Sequence, residues 1–177
     1  MANIQIIFVV ETNNISKTDD MYISKLIKDN YDLSSNDITY KFVHMGNKYL
    51  YKGKKVITDI RKFVNINKKG INHIIYCFDT DRIDTNIESI EFFKQVEIYC
   101  KNNDYELIWF CYDIENVFIG KSVSDDKKVS FATNYFSKNI NYNKSIVKRL
   151  STNDNEVKTN KKSNILLILN KYFKIKK

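Results

Sequence analysis

The chain alternates short apolar runs with longer stretches whose apolar residues recur every three or four positions. Residues 4–10, Ile-Gln-Ile-Ile-Phe-Val-Val, are apolar on both alternating faces, the pattern of a buried parallel strand. A helix is predicted to about Asn30, with Met21, Ile23, Leu26 and Ile27 on its apolar side and Thr18 or Asp19 as its cap. After a turn from Leu33 to Asp37, Ile38 to Met45 alternates as a second strand. Gly46 to Lys55 reads as a basic loop (Lys48, Tyr49, Tyr51, Lys52, Lys54, Lys55) that either meets a phosphate backbone or is simply solvated, and Val56 to Ile66 as a helix ended by Lys68-Lys69-Gly70. A third strand runs through Ile74–Phe78 and stops at Asp79-Thr80-Asp81. Ile87 to Cys100 carries Ile87, Ile90, Phe93, Val96 and Tyr99 along one helical face, and Glu106 to Tyr112 forms a fourth strand. Past Gly120 the strand pattern ends. Val129–Phe136, Lys144–Leu150 and Ser163–Tyr172 read as helices, with a polar loop from Ser151 to Lys162. The expected fold is α/β, a doubly wound and mainly parallel sheet over 1–120, with a small basic helical extension over 121–177 packed on it.

Charge adds one feature to this picture. The net charge is +8, yet residues 1–143 hold 19 Lys and Arg against 19 Asp and Glu, while residues 144–177 hold 10 against 2. A one-sided basic region attracts polyanions, nucleic acid first among them, or serves only as a solubilising surface. No run of apolar residues is long enough to span a bilayer, and the N-terminal residues lack the basic region of a signal peptide, so no membrane partner is expected. Cys77, Cys100 and Cys111 lie in apolar settings without a CxxC pair, which implies buried thiols and a cytoplasmic protein.

The candidate chemistry lies where the apolar runs stop. Glu11 follows the first strand, Asp79 and Asp81 the third, Asp113 and Glu115 the fourth. Right-handed crossovers would bring these strand ends to one edge of the sheet, where open α/β sheets bind ligands. Taken singly, an Asp at a strand end is as readily a turn former or a helix cap. Taken together, like charges so placed repel unless a cation lies among them, and hard divalent ions choose oxygen ligands. Such a set serves metal-assisted phosphoryl transfer.

A Glu after the first strand and Asp-x-Asp after the third resemble the signature of the Toprim domain of topoisomerases, bacterial primases and several nucleases. The likeness covers about Ile4 to Glu115. Within that superfamily the chain looks most like RloB-type proteins of bacterial anti-phage (abortive infection) systems, whose Glu-Gly, Lys-Thr-Glu and following Tyr resemble Glu11, Lys17-Thr18-Asp19 and Tyr22 here. Thr12 replaces the Gly, and the loop is longer. Asp113-Ile114-Glu115 resembles the Ser-x-Glu element with which nucleases of the overcoming-lysogenisation-defect family hold a second metal. The resemblance implies that Glu11, Asp79 and Asp81 bind one Mg²⁺ or Mn²⁺, and that Glu115, with Asp19 or Asp113, binds another. In a one-metal variant Glu11 would instead be the general base.

Several residues have two readings. Lys121 either approaches a transition-state phosphate or is a surface lysine. His44 either reaches the acidic edge or caps, and His73 is expected at the opposite edge in a structural role. Arg82 either neutralises a phosphate oxygen or pairs with an acid such as Asp84. The functional expectation is a Mg²⁺- or Mn²⁺-dependent nuclease of Toprim type in anti-phage defence, acting on DNA or RNA, with a homodimer or a protein partner. The alternative is a non-catalytic Toprim regulatory module that binds a nucleotide or polyanion within a defence complex.

Overall fold

The computed structural model describes residues 3–13, 15–34, 37–81, 85–153 and 161–176. Strands β1 (Ile4–Val10), β2 (Ile38–His44), β3 (Ile71–Asp79) and β4 (Glu106–Phe110) form one sheet in the order β2-β1-β3-β4. Every neighbouring pair is parallel. Helices α1 (Thr18–Asn30), α2 (Lys54–Ile66) and α3 (Ile87–Asn102) are the crossovers, followed by α4 (Ile114–Ile119), α5 (Asp125–Ser137), α6 (Lys144–Leu150) and α7 (Ile165–Leu169). The fold is a doubly wound α/β sheet.

The two-sided apolar pattern of β1 has a direct structural cause. Ile6, Phe8 and Val10 face one core with α1 and the C-terminal helices, while Ile7 and Val9 face another with α2 and α3. β3 divides in the same way, Ile75 and Cys77 to the first core and Tyr76 and Phe78 to the second. β2 is an edge strand, and its outward residues stay partly exposed, which is why its sequence alternates.

The other edge, β4, is covered from the C-terminal side. The Ser163 Oγ donates to the Trp109 carbonyl at 2.6 Å. The Asn164 side chain accepts from the Trp109 amide at 3.0 Å and donates to the Leu107 carbonyl at 2.9 Å. The Cys111 amide donates to the Lys162 carbonyl at 2.9 Å. These bonds draw residues 163 and 164 out of the helix expected from Ser163 to Tyr172, so α7 begins only at Ile165. The fourth strand also stops earlier than its sequence suggests. Tyr112 takes a left-handed φ of 63° and closes an isolated bridge with Asp81 instead of continuing the ladder.

The segment beyond Gly120 is built into the first core. Ala132 of α5, Leu150 of α6, Ile165, Leu166, Ile168 and Leu169 of α7, and Phe173 all lie in the same apolar cluster as β1. α5 starts at Asp125, before the expected Val129, with Asp125 and Asp126 in its first turn. Among the described residues no helix is long and apolar enough to cross a membrane. Cys77, Cys100 and Cys111 are buried free thiols, and Trp109 is in the core.

Candidate functional site

The strand order reverses between β1 and β3: the chain passes from β1 outward to β2 on one side, and from β3 outward to β4 on the other. This is the topological switch point, where the two diverging connections leave a crevice beyond the carboxyl ends of the strands. Glu11 and Asp79 flank it. The Asp79 amide donates to Glu11 Oε1 at 2.9 Å, which ties the two strand ends together.

Each further acid arrives on its own element. Asp19 lies in the first turn of α1, and its Oδ2 accepts from the Thr12 amide at 3.3 Å. That turn is not capped as expected. Lys17, with a left-handed φ of 49°, precedes the helix, and no side chain caps it; the Asp19 carboxylate reaches back to the loop instead. Asp81 also has a left-handed φ, 49°. Its amide donates to the Tyr112 carbonyl at 2.9 Å, and the Tyr112 amide donates to Thr80 Oγ1 at 3.1 Å, so the loops after β3 and β4 are locked together. Non-glycine residues held in this conformation collect at functional sites. Glu115 enters from the first turn of α4, whose N-cap is Asp113.

Glu11, Asp19, Asp79, Asp81 and Glu115 line one cleft of about 310 Å³, with Lys48 and Lys128 as its cations. Glu115 is 1 % exposed, and both of its carboxylate oxygens are buried without a hydrogen-bond partner. Burial pushes Glu115 up to about 7, with Lys128 opposing. Burial, with the Asp19 and Asp81 carboxylates added, pushes Glu11 up to about 8, although the Asp79 amide opposes it. Burial raises Asp19 to about 6, and burial with Glu11 beside it holds Asp79 well above the usual carboxylate range. For Lys48 burial acts downward, but its ion pair with Asp81 outweighs it and holds the ammonium above its ordinary value. Glu115 does the same for Lys128. The cleft thus gathers five carboxyl groups against two lysines.

No protein-family model matches the chain, and neither does any curated protein or any solved structure.

Two residues expected at the site have other partners. Asp113 Oδ1 caps α4 by accepting from the Asn116 amide at 2.6 Å, and its Oδ2 accepts from the Ser122 hydroxyl; its carboxylate is absent from the cleft lining. Lys121 also lies outside the lining, with its Nζ 5.1 Å from the centre of the Phe131 ring. His44 Nε2 sits 2.9 Å from Asp20 Oδ2 rather than at the acids. His73, on the strand-start side, packs on Tyr172 with ring centres 4.3 Å apart. Arg82 and Asp84 lie outside the described residues.

Lys128 is a site residue that the sequence does not mark, whereas Lys48 belongs to the loop expected either to meet a phosphate backbone or to be solvated. Lys48 carried one signal, its place in a basic loop that begins at a strand end. Lys128 carried none, because the packing of α5 on α1 is what brings it to the cleft.

The donor chemistry fits a hard divalent cation: every acidic group in the lining offers oxygen, and Glu115 offers two unpartnered oxygens. Among the described residues, no three carboxylate, imidazole or thiol groups already converge as a cage. Loading would therefore require side chains to turn, Lys48 leaving Asp81 among them.

Proposed function

We propose that the chain is a divalent-metal-dependent nuclease that hydrolyses phosphodiester bonds at the cleft between the ends of β1 and β3. The observation that carries this reading is the unpartnered, buried Glu115 carboxylate beside four further acids at a topological switch point. Mg²⁺ or Mn²⁺ held there would supply Lewis-acid activation of water and charge neutralisation at the scissile phosphate. Glu11, Asp79 and Asp81, together with Asp19 and Glu115, are the residues that would hold it. Lys48 and Lys128 would bind non-bridging phosphate oxygens from within the cleft. The Asp81–Tyr112 lock would fix the third acid without help from substrate. The resemblance of Glu11, Lys17-Thr18-Asp19 and Asp79-x-Asp81 to Toprim and RloB-type motifs supports the same reading, and it alone suggests phage defence as the setting.

The test is incubation with labelled single- and double-stranded DNA and RNA in Mn²⁺, Mg²⁺ or EDTA. Cleavage is expected only with metal, and Asp79→Asn should lower it at least about 100-fold, the scale of losing one fixed electrostatic contact to a transition state.

One observation favours a second reading. Lys48 already occupies Asp81 as an internal cation, as it would in a regulatory module that binds a polyanion without cutting it. Metal or polyanion binding with no cleavage under any condition would select that module and sink the nuclease.

A further inference from the structure

Beside the acids, the cleft lining includes one exposed aromatic ring, Tyr49, which keeps 64 % of its surface open to solvent. Four neighbouring residues fix its position. Asn47 Oδ1 accepts from the Tyr49 amide at 2.9 Å and starts the short 3₁₀ turn Lys48–Leu50. Tyr51, two residues on, is buried, and its carbonyl accepts from the Tyr76 hydroxyl at 2.9 Å, which anchors the loop to β3. Gly53 closes the turn where a Cβ would stand 2.9 Å from the Leu50 carbonyl oxygen. Phe92 of α3 braces the Tyr49 ring edge-on, with centroids 4.9 Å apart. The stretch 46–55 contains Lys48, Lys52, Lys54 and Lys55 and no acid. Lys48 Nζ lies 5.4 Å from the Tyr49 ring centre while pairing with Asp81, so the ring stands immediately beside the acidic set.

We infer that Tyr49 is a stacking shelf for an unpaired base next to the phosphate held at the acidic cleft, so that the substrate is a single-stranded polynucleotide. The inference rests on the polynucleotide reading above and deepens it. A preorganised aromatic surface beside basic side chains is how single strands are held without sequence readout, because every base has a face to stack. In a duplex the base faces are already stacked on one another and do not reach such a shelf. The lysines of the loop supply the charge complement of the backbone.

The experiment measures binding by fluorescence anisotropy in EDTA and again in Ca²⁺, with labelled oligo-dT, oligo-rU and a duplex of matched length. Both single strands should bind more tightly than the duplex. Tyr49→Ala should weaken single-strand binding about tenfold or more, Tyr49→Phe should retain it, and duplex binding should be unmoved by either. A dT or rU preference would separate DNA from RNA as the strand used. Equal binding of duplex and single strand, unchanged affinity in Tyr49→Ala, or no binding of any strand would overturn the inference. The readout is separate from cleavage: Tyr49-dependent binding without cleavage in any metal would remove the nuclease and keep the shelf. Cleavage with Tyr49→Ala binding unchanged would do the reverse.

Discussion

Glu115 is buried with no hydrogen-bond partner for either carboxylate oxygen among the described residues. A buried carboxylate without a partner loses its hydration and gains little in return. Glu115→Gln should therefore raise stability at pH 8 in EDTA by on the order of 1–3 kcal/mol, a rise of about 2–10 °C for a chain of this size. If the cleft binds metal as proposed, Mn²⁺ should stabilise the parent protein and not Glu115→Gln, and differential scanning fluorimetry with and without metal measures both effects. The pH dependence has a definite sign. Glu11, Asp19 and Glu115 titrate higher in the folded protein than their ordinary values of 4.5, 3.8 and 4.5, at about 8, 6 and 7. The folded state thus binds more protons than the unfolded state between about pH 4 and pH 8. Its stability is full below the lower bound and declines as pH rises through the upper one. In EDTA the melting temperature should fall from pH 5 to pH 8, and saturating Mg²⁺ should flatten that fall. A profile in EDTA that rises over this range would contradict the charge crowding.

At the scale of elements, Asn164 is the piece that finishes the sheet. Its side chain takes the place of a neighbouring strand, giving one acceptor and one donor to the outer edge of β4. Asn164→Ala should cost about 2–4 kcal/mol, the sum of two backbone groups left unsatisfied, measured as a lower urea midpoint with an unchanged slope. It should also increase aggregation, since an uncovered strand edge is a template for pairing. This interaction was not legible in the sequence, where Ser163 and Asn164 are two polar residues leading into the apolar run that begins at Ile165. The four strands and three crossover helices were legible, because apolar runs buried on both faces leave few other readings. The acidic edge was legible for the same reason: Glu11, Asp79 and Asp81 stand directly after such runs. The roles of Asp113 and Lys121 were not, because a neighbouring Ser122 hydroxyl and Phe131 ring draw those side chains elsewhere. Lys128 depended on packing between helices distant in sequence, which periodicity does not encode.

Over the whole molecule, the basic excess and part of the core come from the same segment of the chain. Leu150, Ile165, Leu169 and Phe173, which help bury β1, alternate with exposed Lys144, Lys148 and Lys174. Truncation after Asn143 should unfold the protein, with loss of cooperative melting by circular dichroism, instead of simply releasing a basic arm. The separable change is Lys144, Lys148 and Lys174 to Gln together. This should leave the melt intact and reduce the salt dependence of polyanion binding by up to about three counterions' worth. The arrangement also bears on how the sheet is completed. β1 is a central strand, and many of the apolar side chains that join α1 in covering one of its faces come from the far end of the sequence, Leu150, Ile165, Leu169 and Phe173 among them. Until that stretch packs, the face of β1 that α1 only partly covers and the outer edge of β4 are open to solvent. One segment closes both, so the central face and the outer edge of the sheet gain or lose their cover together.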